Sequence, residues 1–267
     1  ELRSLDLNHN EIEEVSSYSG LSLNSFVALQ SFDISHNKIS GLLNCADLSQ
    51  LSNLTQLNLS NNYIEGVTSE IGYLCALRQL DLSHNKLKVV PNSLSILKNL
   101  YELDLSHNRI TAIPVLDLPE LTRVNVRYNK LIQSVRFTDK CKKVKEVLMG
   151  FNRIIDFGNL DRESIFEVTS IVTLDMQNNK IALLPEKIVQ LQELISLDIS
   201  NNDLNNIPAK LSLCPKLNRL NLDGNALRRI RRAIINGGTV KLIKYLKTRL
   251  TDDESSSYQF TQSKNTP

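Results

Sequence analysis

The side chains most able to do chemistry here are four histidines and four cysteines. His9, His36, His84 and His107 each stand directly before an asparagine of a recurring phrase, which suggests a column of imidazoles. His84 and His107 are read as the adjacent pair. Zinc needs four ligands within tetrahedral reach, and no cysteine or paired carboxylate joins the histidines at ligand spacing. Cys45, Cys75, Cys141 and Cys214 lie far apart, so they are expected to be buried, reduced thiols rather than disulfides. The chain has no phosphate-binding glycine loop, no nucleophile elbow, no HExxH and no paired cysteine ligands. It is therefore expected to be no enzyme and to carry no metal or cofactor.

What positions these residues is one eleven-residue phrase, L-x-x-L-x-L-x-x-N-x-L, that occurs ten times between Leu2 and Leu227. Its asparagines are Asn10, Asn37, Asn62, Asn85, Asn108, Asn129, Asn152, Asn179, Asn202 and Asn225, separated by 21 to 27 residues. Within each phrase apolar and polar residues alternate, as in Leu80-Asp81-Leu82-Ser83. Period two means a short strand with one buried face. The intervening segments are long enough to return the chain to a parallel neighbour. Asparagine offers both a donor and an acceptor to backbone groups left open where the strand turns away. Val90-Pro91, Leu184-Pro185 and Ile207-Pro208 suit the start of a loose helical turn. Segments 13–28 and 155–170 are longer, and Asp161-Arg162-Glu163-Ser164 is expected to hold a helical turn. Ten stacked strands at ~4.8 Å would line roughly 45 Å of a concave face.

A net charge of +2 and the absence of tryptophan argue against nucleic acid as a partner. No run of apolar residues is long enough to span a bilayer. The first phrase begins without an amphipathic cap before it, so the chain is expected to continue N-terminally into more repeats. Two sequons, at Asn53 and Asn58, overlap a strand phrase and are read as accidental. Residues 1–227 are expected to form the repeats, 228–250 a helical cap, and 251–267 a disordered polar tail. Thr239 is the expected N-cap of a helix whose apolar stripe is Leu242, Ile243, Leu246 and Leu250. The four arginines between Arg228 and Ile235 are either a solvated cap surface or an acidic-partner site.

The phrase, with its Leu/Ile-Pro-x-x-Leu-x-x-Leu returns, resembles the leucine-rich repeat family, and within it the intracellular Ras-group type. The last third, with Leu174-Asp175-Met176-Gln177-Asn178-Asn179, Leu222-Asp223-Gly224-Asn225, Arg232-Ala233-Ile234-Ile235, Gly238-Thr239 and Tyr245-Leu246, is similar to the end of one intracellular member. Ala226 departs from it where proline is usual, which makes the entry to the cap less rigid. The resemblance implies an α/β leucine-rich repeat solenoid, a horseshoe with ten parallel strands on the concave face and irregular or helical convex segments. It also implies a cytoplasmic protein-binding scaffold that uses the concave face, and it supplies no catalytic residues. A regulatory repeat region of a larger signalling enzyme and an extracellular receptor ectodomain are the alternative roles.

Most exposed strand positions hold Asp33, Asn58, Asp81, Asp104, Asp175 and Asp198, an ordinary solvated filling. Repeats six and seven depart from it. Leu148 replaces Asp or Asn, Gly150 replaces Ser, and Tyr128 and Phe151 replace His or Asn. Arg123, Arg127 and Arg153 surround them. One reading is a protein-partner site with an apolar dimple of Tyr128, Leu148 and Phe151 framed by the arginines. The other is a degenerate repeat whose odd residues are covered by the segment Gln133 to Lys143. A second column, Lys86, Arg109, Lys130, Arg153 and Lys180, serves either solubility or an acidic groove on a partner.

Overall fold

Alternation in each phrase makes one three-residue strand, and the ten strands form one parallel sheet. The computed structural model describes residues 2–15, 23–46, 48–158 and 163–250. In chain order the sheet strands are β1 (Ser4–Asp6), β2 (Ser31–Asp33), β4 (Gln56–Asn58), β6 (Gln79–Asp81), β7 (Glu102–Asp104), β8 (Arg123–Asn125), β9 (Glu146–Leu148), β10 (Thr173–Asp175), β11 (Ser196–Asp198) and β12 (Arg219–Asn221). Neighbours pair without slippage, for example Gln79 with Glu102, Leu80 with Leu103 and Asp81 with Asp104. Equivalent residues therefore stand in columns. The inward aliphatic side chains, such as Leu80, Leu103 and Val124, join the convex leucines in one continuous core. This is the leucine-rich repeat solenoid expected above.

The asparagine column ties the repeats together. The Asn108 amide donates to the carbonyls of Leu82, Leu105 and Ser106 at 2.9, 3.1 and 3.1 Å. Its oxygen accepts the Leu87 N–H at 2.9 Å. Asn37, Asn62, Asn85, Asn129, Asn179 and Asn202 are buried alongside it. Each carboxamide thus bonds within its own repeat and to the preceding one, which aspartate or leucine could not do.

Return segments are built mostly from short 3-10 turns. Pro91, Pro185 and Pro208 stand at the N-cap positions of the turns Asn92–Ile96, Glu186–Gln190 and Ala209–Leu213. In segment 155–170 the turn is Ile165–Glu167, and the Ser164 hydroxyl accepts the Phe166 N–H at 3.3 Å. Asp161, Arg162 and the tail 251–267 lie outside the described residues.

A second, two-stranded parallel sheet was not foreseen. It joins β3 (Ser40–Leu43) to β5 (Tyr63–Val67), with a register shift at Gly41/Leu42. Tyr63-Ile64-Glu65 starts a strand alternation with Ile64 buried, and the extra residue taken up at the register shift lets Val67 turn inward too. That short alternation was the available signal.

After the last repeat come α1 (Arg232–Ile235) and α2 (Gly238–Lys247). Leu242 and Leu246 are buried, and α2 packs on the turn Ala209–Leu213 and on β12. Thr239 is not the helix N-cap, a place held by Gly237. Its hydroxyl instead accepts the Leu220 N–H at 3.0 Å. β12 is the last strand of the sheet, so that N–H has no following strand to meet, and the threonine takes it.

All four cysteines are free, but only Cys45, Cys141 and Cys214 are buried. Cys75 is exposed because Leu74 and Leu77, on either side of it, take the inward positions. Loss of solvent pushes the Cys45 and Cys214 thiols up to about 12 and raises that of Cys141. A maleimide at pH 8 should therefore label the folded protein rapidly at Cys75 alone, because the thiolate is the reacting form. The other three should react only after denaturation. Rapid labelling at two or more sites, read by intact mass, would contradict this burial pattern.

Candidate interaction surface

The residue before each asparagine takes a left-handed backbone, because the chain turns sharply out of the strand there. His9, His36, Asn61, His84, His107, Tyr128, Phe151, Asn178 and Asn201 all have φ between 52° and 59°, and Gly224 has φ 71°. Asparagine and glycine tolerate this region, whereas bulky side chains rarely enter it. At Tyr128 and Phe151 the left-handed backbone costs about 1–2 kcal/mol per residue. Stacking offsets part of that cost, since such ring pairs contribute about 0.5–1.5 kcal/mol each.

The rings form a continuous ladder. His84 stacks on His107 at 4.0 Å between centroids, His107 on Tyr128 at 4.2 Å, and Tyr128 on Phe151 at 4.2 Å. The interplanar angles are 10°, 16° and 11°. His9 and His36 make a separate stack at 4.1 Å, so they too are neighbours, which the sequence reading missed. Burial, and then the neighbouring His84, hold His107 below the ordinary histidine value. Among the described residues no group of three His, Cys, Asp or Glu is arranged to hold a metal.

Tyr128 is 42 % exposed and Phe151 half-buried. Segment 133–143 does not enclose Tyr128. It turns into the convex core, where Val135, Phe137 and Cys141 are buried and Phe137 is bridged to Leu116.

The other predicted site residues are placed differently. Leu148 is no exposed dimple, being only 7 % exposed. It lies in register between Asn125 and Asp175, and an Arg127–Asp175 ion pair spans the strand that carries it. Asp175 is itself buried and also accepts the Gln177 N–H at 3.0 Å. Gly150 makes room for this bridge. A Cβ there would come within 2.9 Å of Asp175 Oδ2 and 2.9 Å of Gln177 Cγ. Arg123 is held between Glu102 at 3.0 Å and Glu146 at 3.1 Å. It extends a polar ladder from Gln56 to Gln79 at 2.8 Å and from Gln79 to Glu102 at 3.0 Å. Arg153 is exposed on the rim with no ion pair among the described residues.

The structure therefore brings Tyr128 and Phe151 together with Arg153 nearby in sequence on the rim, and commits Arg123, Arg127 and Leu148 to holding the sheet surface. Sequence reasoning missed Asp175 as the partner of Arg127. Both stand on the same alternating face, but they are two repeats apart, and no short-range spacing reveals such a pair. The exposed Ile132 and Ile155, adjacent through the bond from Ile155 N–H to the Ile132 carbonyl at 3.1 Å, were also missed. Nothing in the arrangement supplies a nucleophile with its base. What it offers is a surface.

Comparison with known proteins agrees with this geometry. The family described as "Leucine rich repeat" matches residues 52–110, 75–131 and 158–227. The functional domain of InlJ from Listeria monocytogenes superposes with a TM-score of 0.66 at 20% identity, over 84% of this chain and 44% of that one. The leucine-rich repeat domain of APL1B gives 0.62 at 23%, over 84% and 70%. The plant peptide hormone receptor RGFR1, solved in complex with RGF2, gives 0.59 at 23%, over 84% and 40%. These likenesses concern the fold, and the chain spans less than half of the InlJ and RGFR1 structures. Family matches over more than half of the sequence, ten in-register strands and the buried asparagine column show that this chain belongs to the leucine-rich repeat family.

Proposed function

We propose that this arc is a cytoplasmic protein-binding scaffold whose partner contacts Tyr128, Phe151 and Arg153, with Arg123, Arg127 and Leu148 forming the rigid floor beside them. The fold is generally a protein-binding scaffold and typically non-catalytic. One observation carries the location: a tyrosine remains 42 % exposed in a ring ladder where most other repeats of the arc place histidine or asparagine. Exposed aromatic surface costs solubility and persists mainly where something binds it. Four free thiols support a reducing compartment. Among the described residues no helix is long and apolar enough to cross a membrane.

The test uses Tyr128→Asn with Phe151→Asn. Asparagine already stands at this position in other repeats, at Asn61, Asn178 and Asn201, and suits the left-handed backbone, so the fold should persist. Loss of one aromatic anchor typically costs about 2 kcal/mol, or about thirtyfold in affinity. Partners co-purifying with the full-length protein from its native cell should fall by at least that factor. Asp81→Asn with Asp104→Asn should leave them unchanged. Retention by the ring variant and loss by the aspartate variant would place the site elsewhere on the arc.

A further inference from the structure

On the rim beside the ring ladder, the positions just after the asparagines form a second column. Its backbone is fixed by a regular series of bonds. Arg109 N–H donates to Leu87 at 2.8 Å, Lys130 to Ile110 at 2.9 Å, Arg153 to Leu131 at 2.9 Å and Lys180 to Ile154 at 2.9 Å. These four side chains are exposed, successive in the arc and all cationic.

The rest of the molecule handles such columns differently. Where lysines stack across repeats on the convex side they meet acids: Lys143 with Glu120 at 2.6 Å, Lys216 with Glu193 at 2.7 Å, and Lys98 with Asp117 at 2.6 Å. Earlier in the rim column itself Lys38 pairs with Glu11 at 3.0 Å, and Lys86 sits over the Tyr63 ring at 4.6 Å. From Arg109 to Lys180 the pairing stops, and no ion pair is formed by these four among the described residues. Like charges one strand apart, at ~4.8 Å, repel and oppose folding. Solubility alone would be served as well by the alternating pairs used elsewhere.

The neighbouring ladder has the same preference. Stacked rings turn their faces to one another and their edges outward, and an aromatic edge is the positive part of its quadrupole. On the other flank stand Ile132 and Ile155, 54% and 53% exposed. Rings, cations and aliphatic side chains thus run side by side through repeats six and seven. Because the inner ring faces are occupied by each other, the ladder leaves only its two end faces, at His84 and Phe151, for a nucleotide base, and not a run of platforms.

From this we infer that the rim from Arg109 to Lys180 docks an acidic peptide segment of a partner protein, with carboxylates on the cations and ring edges and apolar side chains against Ile132 and Ile155. The inference rests on the proposed function and specifies the chemistry of the partner. Recognition lies on the rim, and the acid-lined concave groove at Asp33, Asp81, Glu102 and Asp104 would repel such a segment and keep it there.

The test takes the full chain and three labelled probes: a peptide of glutamate and leucine about eight residues long, enough at ~3.4 Å per residue to span the four repeats, its glutamine-and-leucine counterpart, and an oligouridylate of similar length. Two variants are compared. One carries Arg109→Gln, Lys130→Gln, Arg153→Gln and Lys180→Gln. The other removes the same charge from the cap, by Arg228→Gln, Arg229→Gln, Arg231→Gln and Arg232→Gln. The acidic peptide should bind the wild-type chain, and the neutral one about tenfold more weakly. The rim variant should lose about tenfold for the acidic peptide, while the cap variant keeps its affinity. Absence of acidic-peptide binding, equal losses in both variants, an unaffected rim variant, or binding of the oligouridylate alone would each overturn the inference. If the ring variant loses its cellular partners and the rim variant retains them, the acidic segment is wrong and the scaffold reading stands. If both retain them, the scaffold reading fails at this site.

Discussion

Replacing Asn108 with alanine is expected to destabilise the protein by about 4 kcal/mol, the sum of several buried backbone groups losing partners at roughly 1–3 kcal/mol each, reduced where water enters the space. The carbonyls of Leu82, Leu105 and Ser106 and the N–H of Leu87 all bond to this one side chain. Asn108→Asp should be no milder. It keeps the acceptor for Leu87 but turns a carboxylate oxygen toward three carbonyl oxygens. Two measurements check this: the midpoint of chemical denaturation, and hydrogen exchange at the Leu87 amide, which should lose its protection before the distant repeats do. A loss below about 1 kcal/mol for the alanine variant would mean that the column fills space rather than closing the backbone.

Arg127→Ser should be nearly as damaging, at about 2–3 kcal/mol, because it leaves the buried Asp175 carboxylate without its counter-charge. The value lies at the low end for a buried pair because the Arg127 side chain is 35% exposed. Adding Asp175→Asn should recover most of the loss. Serine and asparagine are what other repeats carry at these positions, as at Ser106 and Asn58, and neither needs a partner charge. The expected signature is therefore strong non-additivity in a double-mutant cycle. Additive effects would show that the bridge across repeat seven contributes little, and that Leu148 is buried for another reason. Gly150→Ala probes the same contact from below, since its methyl group would meet Asp175 Oδ2 and Gln177 Cγ at 2.9 Å. It should lower stability without touching the ring ladder.

These results bear on how a repeat surface is divided between architecture and recognition. Of the six candidate site residues in repeats six and seven, three are consumed internally. Arg123 neutralises acids of the two neighbouring strands, Arg127 neutralises an acid two strands away, and Leu148 lies on the strand that the Arg127 pair spans. The remaining three, Tyr128, Phe151 and Arg153, stand on the turn and rim. Unusual composition marked the repeats on which the proposed site rests. It did not separate the residues that hold the sheet surface together from those left exposed.

The sequence alone determined the ten strands of the main sheet, their parallel order, the columns and the work of the asparagines. All of these follow from periodicity, and a period-two strand repeated at 21 to 27 residues has few other ways to bury its leucines. It also marked Pro91, Pro185 and Pro208 as starts of convex turns, because a fixed φ is a local property. Only the tertiary structure decided the rest. Thr239 looked like a helix cap, but the open edge of β12 competes for the same hydroxyl and takes it. Cys75 looked buried by its place two residues before a leucine of the phrase, but the turn directs Leu74 and Leu77 inward and the thiol outward. Arg127 looked like a free frame for a dimple, yet Asp175, 48 residues away, captures it. In each case a polar or reactive group had more than one possible partner. Which one it met depended on distances between repeats that lie far apart in the chain and on the strand edge or turn beside it, and only packing sets those distances.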